Sequence, residues 1–190
     1  MDHLTSQSWT AHMNCRILEI PVPSFEKIWA LKPAERSKMN MFGKEIEMPR
    51  WHKTYEHTYK FRGMLDWAES ETPQVFKNIM LQCQKKISPK LNGILVNWYN
   101  PQDYIGMHSD DEKGLNKDIP IVTITFIEDP NETRRFVMKN NNTGENHVYN
   151  LKDQDVFIMG GTCQETHKHG LPKSTKYKYK RISVTIRAFL

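Results

Sequence analysis

The chain lacks any long apolar run. No stretch approaches the roughly 18 apolar residues that cross a bilayer as a helix, so no membrane-spanning role is expected. The first 15 residues are polar and lack the apolar centre of a secretory leader. Cysteine is scarce. Cys15, Cys83 and Cys163 are odd in number and far apart, which argues against both a disulfide framework and a paired-cysteine zinc site. A reducing, intracellular compartment is therefore expected. Internal repeats and low-complexity tracts are absent, which sets aside solenoids and biased linkers. Excess charge is slight: 27 Lys and Arg against 22 Asp and Glu, a net +5, suits a polyanionic partner without requiring one.

What remains is a chain of 190 residues, enough for one domain with a closed core. Residues 1–14 show little periodicity and are expected to be a flexible N-terminal segment. A single domain is expected over 15–190. Cys15 to Pro21 reads as a short edge strand. Ser24 to Leu31 reads as a helix capped by Ser24, with Phe25, Ile28 and Trp29 on one face. A second helix is expected over Thr72 to Ile87, where Val75, Phe76, Ile79, Met80, Cys83 and Ile87 form one stripe and Pro89 ends it. After that the pattern changes to short strands: Gly93 to Tyr99, Ile119 to Ile127, Arg134 to Lys139, Asn146 to Leu151, Asp155 to Met159 and Lys178 to Leu190. Turn residues separate several of them. Helices first and many short strands after predict a mainly β (α+β) fold, a two-sheet β-sandwich with helices packed on one side, and the expected form of it is a double-stranded β-helix (jelly roll) with flanking N-terminal helices.

The segment Ile105 to Lys113 carries the first chemical signal. His108 and Asp110 stand two residues apart, so on an extended chain they reach the same side. An imidazole beside a carboxylate is two thirds of the facial triad that suits non-haem Fe(II) and leaves positions open. The third ligand must come from a distant strand. His167 and His169 both qualify; His169 is preferred because Gly170-Leu171-Pro172 would hold its ring at a strand end. His147 is a further alternative in an Asn-rich loop. His3, His12, His52 and His57 read as solvated.

The last strand alternates strictly. Arg181, Ser183, Thr185 and Arg187 face one side, and Ile182, Val184 and Ile186 the other. Such a polar face could be solvent-exposed. Alternatively, two guanidinium groups at its ends could grip a small dicarboxylate, with Thr185 donating between them. Asn97 and Tyr99 share a face at the same spacing and can donate to the same ligand.

Together these motifs resemble the AlkB family of Fe(II)- and 2-oxoglutarate-dependent dioxygenases. The family's His-x-Asp…His falls on His108, Asp110 and His169. Its terminal Arg-x-Asn-x-Thr-x-Arg falls on Arg181, Ser183, Thr185 and Arg187, with Ser183 departing from the family's Asn. Its Asn-x-Tyr falls on Asn97 and Tyr99. The resemblance implies Fe(II), with 2-oxoglutarate and O2 as cosubstrates. It places Arg187 and Asn97 toward the keto-acid end of 2-oxoglutarate and Arg181 and Tyr99 toward the distal carboxylate.

Local matches are strongest to the branch of the family that repairs duplex DNA. Met41-Phe42-Gly43-Lys44 resembles its wedge hairpin, Thr58 to Gly63 its base-stacking strand, and Asp110 to Lys113 its Asp-Asp-Glu-Lys. The resemblance therefore implies a nucleotide-recognition region at about 36–66. Phe42, Gly43 and Lys44 would enter the duplex, Tyr59 and Phe61 would stack on a flipped base, and Asp111 would contact its exocyclic group. Lys173, Lys176, Lys178 and Lys180, with Arg50, Arg62, Lys44 and Lys60, could line a phosphate backbone. The implied function is oxidative demethylation of 1-methyladenine and 3-methylcytosine in DNA by a monomer, nuclear in a eukaryote. An RNA demethylase or a protein hydroxylase of the same class is the alternative. A non-catalytic β-sandwich that binds nucleic acid is the rival from another class.

Overall fold

The computed structural model describes residues 1–41, 43–61 and 64–190; for 40, 41, 59–61 and 64–66 it describes the backbone alone. In chain order the strands are β1 (Asp2–His3), β2 (Ser8–Asn14), β3 (Lys38–Met41), β4 (Lys44–Glu47), β5 (Trp51–Tyr55), β6 (Tyr59–Phe61), β7 (Met64–Asp66), β8 (Gly93–Tyr99), β9 (Ile105–His108), β10 (Ile121–Ile127), β11 (Thr133–Asn140), β12 (Asn146–Lys152), β13 (Asp155–Gly161), β14 (His167–Leu171) and β15 (Arg181–Arg187). The helices are α1 (Phe25–Trp29), α2 (Gln74–Lys86) and the single turn α3 (Cys163–Thr166). Among the described residues no helix is long and apolar enough to cross a membrane.

The strands form a jelly roll. A larger sheet runs β1-β2-β13-β10-β15-β8-β5, and a smaller one runs β12-β11-β14-β9, with every ladder antiparallel. The period-2 alternation explains how the larger sheet serves two layers. On β8, Ile94, Val96 and Trp98 join one core with Ile28 of α1 and Phe76, Ile79 and Cys83 of α2. On β15, Ile182, Val184 and Ile186 enter the same core. The opposite face meets the smaller sheet, where Tyr99, Phe136, Met138, Phe157, Met159 and Leu171 form a second core. Trp98 also donates its indole Nε1–H to the Ile28 carbonyl at 3.0 Å, which ties α1 to the sheet.

Both helices follow their sequence signals. Ser24 Oγ accepts from the Lys27 amide at the start of α1. α2 begins after Pro73 and buries Phe76, Ile79 and Cys83 on one stripe.

The N-terminal segment differs from expectation. Ser8–Asn14 is not frayed but is a full strand, paired with β13 from Ser8↔Gly161 to Asn14↔Asp155. It serves both layers: Trp9, Ala11 and Met13 pack on the first core, while Ser8 and Thr10 on the alternate positions are buried through hydroxyl bonds. Ser8 Oγ bonds Thr162 Oγ1 at 2.8 Å and Thr166 Oγ1 at 2.7 Å, and Thr10 Oγ1 bonds the Tyr149 hydroxyl at 3.0 Å. Gly160 is required opposite it, because a Cβ there would lie 2.0 Å from the Trp9 ring. Cys15–Leu18, expected as an edge strand, is a 3-10 turn closed by Glu19 in the left-handed region (φ 54).

The region 36–66 holds two hairpins and the edge strand β5. β3 pairs with β4, and Gly43 at φ +75 takes a backbone shape few other residues adopt. β6 pairs with β7. Phe42 lies outside the described residues, as do the side chains of Tyr59 and Phe61, so their proposed contacts with a base are not described.

Candidate metal and dicarboxylate site

Sheet register assembles the metal-ligating candidates. β9 pairs with β14 so that His108 stands opposite His169. Asp110 follows two residues after His108, at the end of the strand. His108 Nε2 lies 3.6 Å and His169 Nε2 3.9 Å from Asp110 Oδ1. Ligand atoms of the three residues all fall within 4.8 Å of one another. Of His167 and His169, this register brings His169 to the group. His167 is buried away from the group, its Nδ1 bonded to Thr166 Oγ1 at 2.8 Å and its ring 6.0 Å from that of His147.

The donor chemistry fits a divalent cation. His108 Nδ1 donates to the Gly106 carbonyl at 2.8 Å, because a carbonyl can only accept, so its Nε2 keeps the lone pair. Asp110 Oδ2 accepts from Arg187 Nη2 at 3.2 Å. Asp110 Oδ1 is buried, has no hydrogen-bond partner among the described residues, and points between the two imidazoles. Burial alone would raise the Asp110 pKa, but the Arg187, His169 and His108 charges outweigh it and hold the carboxyl below its usual range. Burial, with His108 beside it, pushes His169 down to about 3, so its ring is neutral, the form that ligates metal.

The alternating polar face of β15 is not solvated. Arg181, Ser183, Thr185 and Arg187 line one cavity with Asn97 and Tyr99 of β8, together with His108, Asp110 and His169 and the apolar Phe136, Met159 and Leu171. Arg181 is buried; its Nη2 donates to Thr125 Oγ1 at 2.9 Å and its guanidinium carbon lies 5.3 Å from the Tyr99 ring centre. No carboxylate pairs with Arg181 among the described residues. Burial lowers its pKa to about 10, partly offset by Tyr99 and reinforced by Arg134. Arg187 is differently placed. Besides Asp110, its Nη1 donates to Glu112 Oε1 at 2.7 Å. Thr185 Oγ1 lies 3.2 Å from Thr123 Oγ1 on the neighbouring strand.

Several residues stand elsewhere than expected. Arg50 is 9 % exposed, lines the cavity, and donates from Nε to Asn97 Oδ1 at 2.9 Å, so it does not line a phosphate backbone. His52 lines the cavity as well, rather than facing solvent. His12 is paired with Asp155 at 2.6 Å. Asp111 is exposed and off the cavity wall, whereas the Glu112 side chain, like that of Asp110, is buried against Arg187. Gln164 Oε1 accepts the Asp110 amide at 2.9 Å and was not singled out. Only for Glu112 was a signal available, since it continues the i, i+2 spacing from His108 and Asp110. Lys173 and Lys176 are exposed; Lys180 pairs with Glu128 at 2.8 Å.

Comparison with known proteins agrees with this geometry. The sequence profile of the 2OG-Fe(II) oxygenase superfamily matches residues 26–187. The chain is 27% identical over 173 residues to the RNA replication protein of Grapevine virus A (isolate Is 151), covering 89% of this chain and 9% of that protein. It is 25% identical over 170 residues to the DNA oxidative demethylase ALKBH2 of Bos taurus, covering 81% of this chain and 58% of that protein. The solved structure of OsALKBH1 shares the fold, with a TM-score of 0.57 at 15% identity over 98% of this chain and 100% of that one.

Proposed function

Because the chain belongs to the 2OG-Fe(II) oxygenase superfamily, on its AlkB-like side, we propose that it oxidatively demethylates N-alkylated bases in nucleic acid, using Fe(II), 2-oxoglutarate and O2. The observation that supports this most is the bare, buried Asp110 Oδ1 between two imidazole nitrogens, beside a wall where Arg181 has no carboxylate partner among the described residues. His108, Asp110 and His169 would hold the iron. Asn97, Tyr99, Arg181, Thr185 and Arg187 would hold 2-oxoglutarate. When bound, the iron would be where O2 oxidises both partners, one oxygen atom going to the succinate left as the keto acid loses CO2 and the other to the N-methyl carbon; the hydroxymethyl base then releases formaldehyde.

The protein's part is placement and electrostatics. Arg187 keeps Asp110 ionised and fixes its free oxygen. The apolar floor of Phe136, Met159 and Leu171 keeps the reacting end dry. An unpaired cation such as Arg181, buried and hydrogen-bonded to hydroxyl groups, attracts a carboxylate more strongly than it would in water. The target base must leave its stack to reach this depth. Tyr59 and Phe61 would stack on it, Phe42, Gly43 and Lys44 would fill the gap in a duplex, and exposed Asp111 would meet its exocyclic group. A monomeric domain in an intracellular compartment suits this work, in the nucleus where the substrate is genomic DNA.

Methylated DNA, with 1-methyladenine or 3-methylcytosine, is the substrate suggested by the ALKBH2 relatives. Methylated RNA is the second reading. It is favoured by the match of most of this chain to a part of a viral protein named for RNA replication. Iron-dependent formaldehyde release from 1-methyladenine in duplex DNA, single-stranded DNA and RNA of one sequence tests both. Release from DNA ahead of RNA supports the first reading, and the reverse order the second. No release from any of them, with 2-oxoglutarate turnover intact, would move the target to another substrate class.

A further inference from the structure

Asn97 is 5 % exposed and faces the cavity from the middle of β8. Its carboxamide has two ends of nearly equal shape and opposite character, one oxygen that accepts and one NH2 that donates. Which end faces the cavity decides whether Asn97 attracts or repels a carboxylate. The backbone of β8 does not decide it, since either orientation fits the same rotamer.

Arg50 decides it. Its Nε–H donates to Asn97 Oδ1 at 2.9 Å, with both groups buried. A guanidinium has donors only, so a reversed amide would set N–H against N–H in a dry wall. The oxygen is therefore held toward Arg50. Asn97 Nδ2 makes no hydrogen bond to a described residue and is left open on the cavity side. Arg50 itself has no carboxylate partner among the described residues, although it is 9 % exposed. A buried cation without a counter-ion is costly unless a ligand or a network makes use of it.

We propose that Arg50 is a positioning residue for the dicarboxylate cosubstrate: it locks the Asn97 carboxamide with its NH2 toward the cavity. This rests on the reading that the cavity takes 2-oxoglutarate. It assigns Arg50 a task inside the pocket, separate from the phosphate contacts expected of surface arginines. Partners that orient metal ligands contribute about tenfold or more to metal affinity, and an effect of that order is expected for a partner that orients a cosubstrate-binding side chain.

The test is calorimetric binding of 2-oxoglutarate to the Mn(II)-loaded protein under argon, where no turnover occurs. Arg50→Met should weaken 2-oxoglutarate binding about tenfold. Arg50→Gln keeps an N–H donor without the charge and should recover most of that loss. The double variant Arg50→Met/Asn97→Ala should bind no worse than Asn97→Ala alone, because Arg50 acts through Asn97. Additive losses in the double variant would overturn the proposal, since they mean that Arg50 meets the cosubstrate itself. Unchanged binding in a folded Arg50→Met would overturn it as well. Should Arg50→Met not fold, Arg50→Ala and its double with Asn97→Ala carry the same comparison. If the wild-type protein binds Mn(II) but no 2-oxoglutarate, it is the cosubstrate reading that fails.

Discussion

His108 and His169 face each other across paired strands, their ring centres 4.4 Å apart and their planes 52° from parallel. Strand pairing, not a loop, sets that separation. The two imidazoles are therefore held at a distance that one ion can bridge.

Asp110→Asn keeps the volume of the carboxylate and removes its charge. Arg187 and Glu112 would remain paired behind it. The expected outcome is a loss of at least about a hundredfold in Mn(II) affinity, larger than for an outer partner of a ligand, with the melting temperature of the metal-free protein little lowered. Titration of the metal-free protein with Mn(II) checks it, and retained affinity would remove Asp110 from the ligand set.

Two buried thiols make stability fall at alkaline pH. Burial pushes both Cys15 and Cys83 from 9.0 up to about 12. In the unfolded chain they ionise first, so between these values the unfolded state binds fewer protons and is favoured as pH rises. Their contribution is whole below pH 9 and is lost progressively toward pH 12. Melting curves across this range should slope downward, and the slope should flatten in Cys15→Ala/Cys83→Ala. A thiol reagent should react with neither until the protein opens.

Trp98→Phe should cost about 1 kcal/mol for the lost hydrogen bond, because the Ile28 carbonyl loses one of two donors and keeps the Leu31 amide. Trp98→Ala should cost more, about 3–5 kcal/mol, by emptying the core between the larger sheet and the two helices. Urea denaturation of the two variants separates the hydrogen bond from the volume.

The parts of this molecule that could be read from its residues are those where burial and polarity alternate. β8 and β15 carry apolar and polar side chains in turn, and both layers they serve were legible from that rhythm. The metal group was legible as His108 and Asp110 at one spacing with a histidine elsewhere; the pairing of β9 with β14 then singles out His169 over His167. β2 carries an apolar alternation too, in Trp9, Ala11 and Met13, but its other face buries Ser8 and Thr10 through hydroxyl bonds, and that face reads from sequence as polar surface. Arg50 was hidden, and Glu112 was marked only by its spacing, for a related reason. Charged side chains are ordinarily outside, and only the fold brings Arg50 beside Asn97 and Glu112 beside Arg187.

The alternation of β15 has a consequence for how this protein can change over time. Inserting or deleting one residue between Arg181 and Arg187 would exchange the strand's two faces. Guanidinium and hydroxyl groups would then be forced among the helices while isoleucines were turned toward the cavity, so folding and chemistry would be lost in one event. Point replacement is the only route by which this strand can drift, and length variation must be absorbed by the segments that flank it.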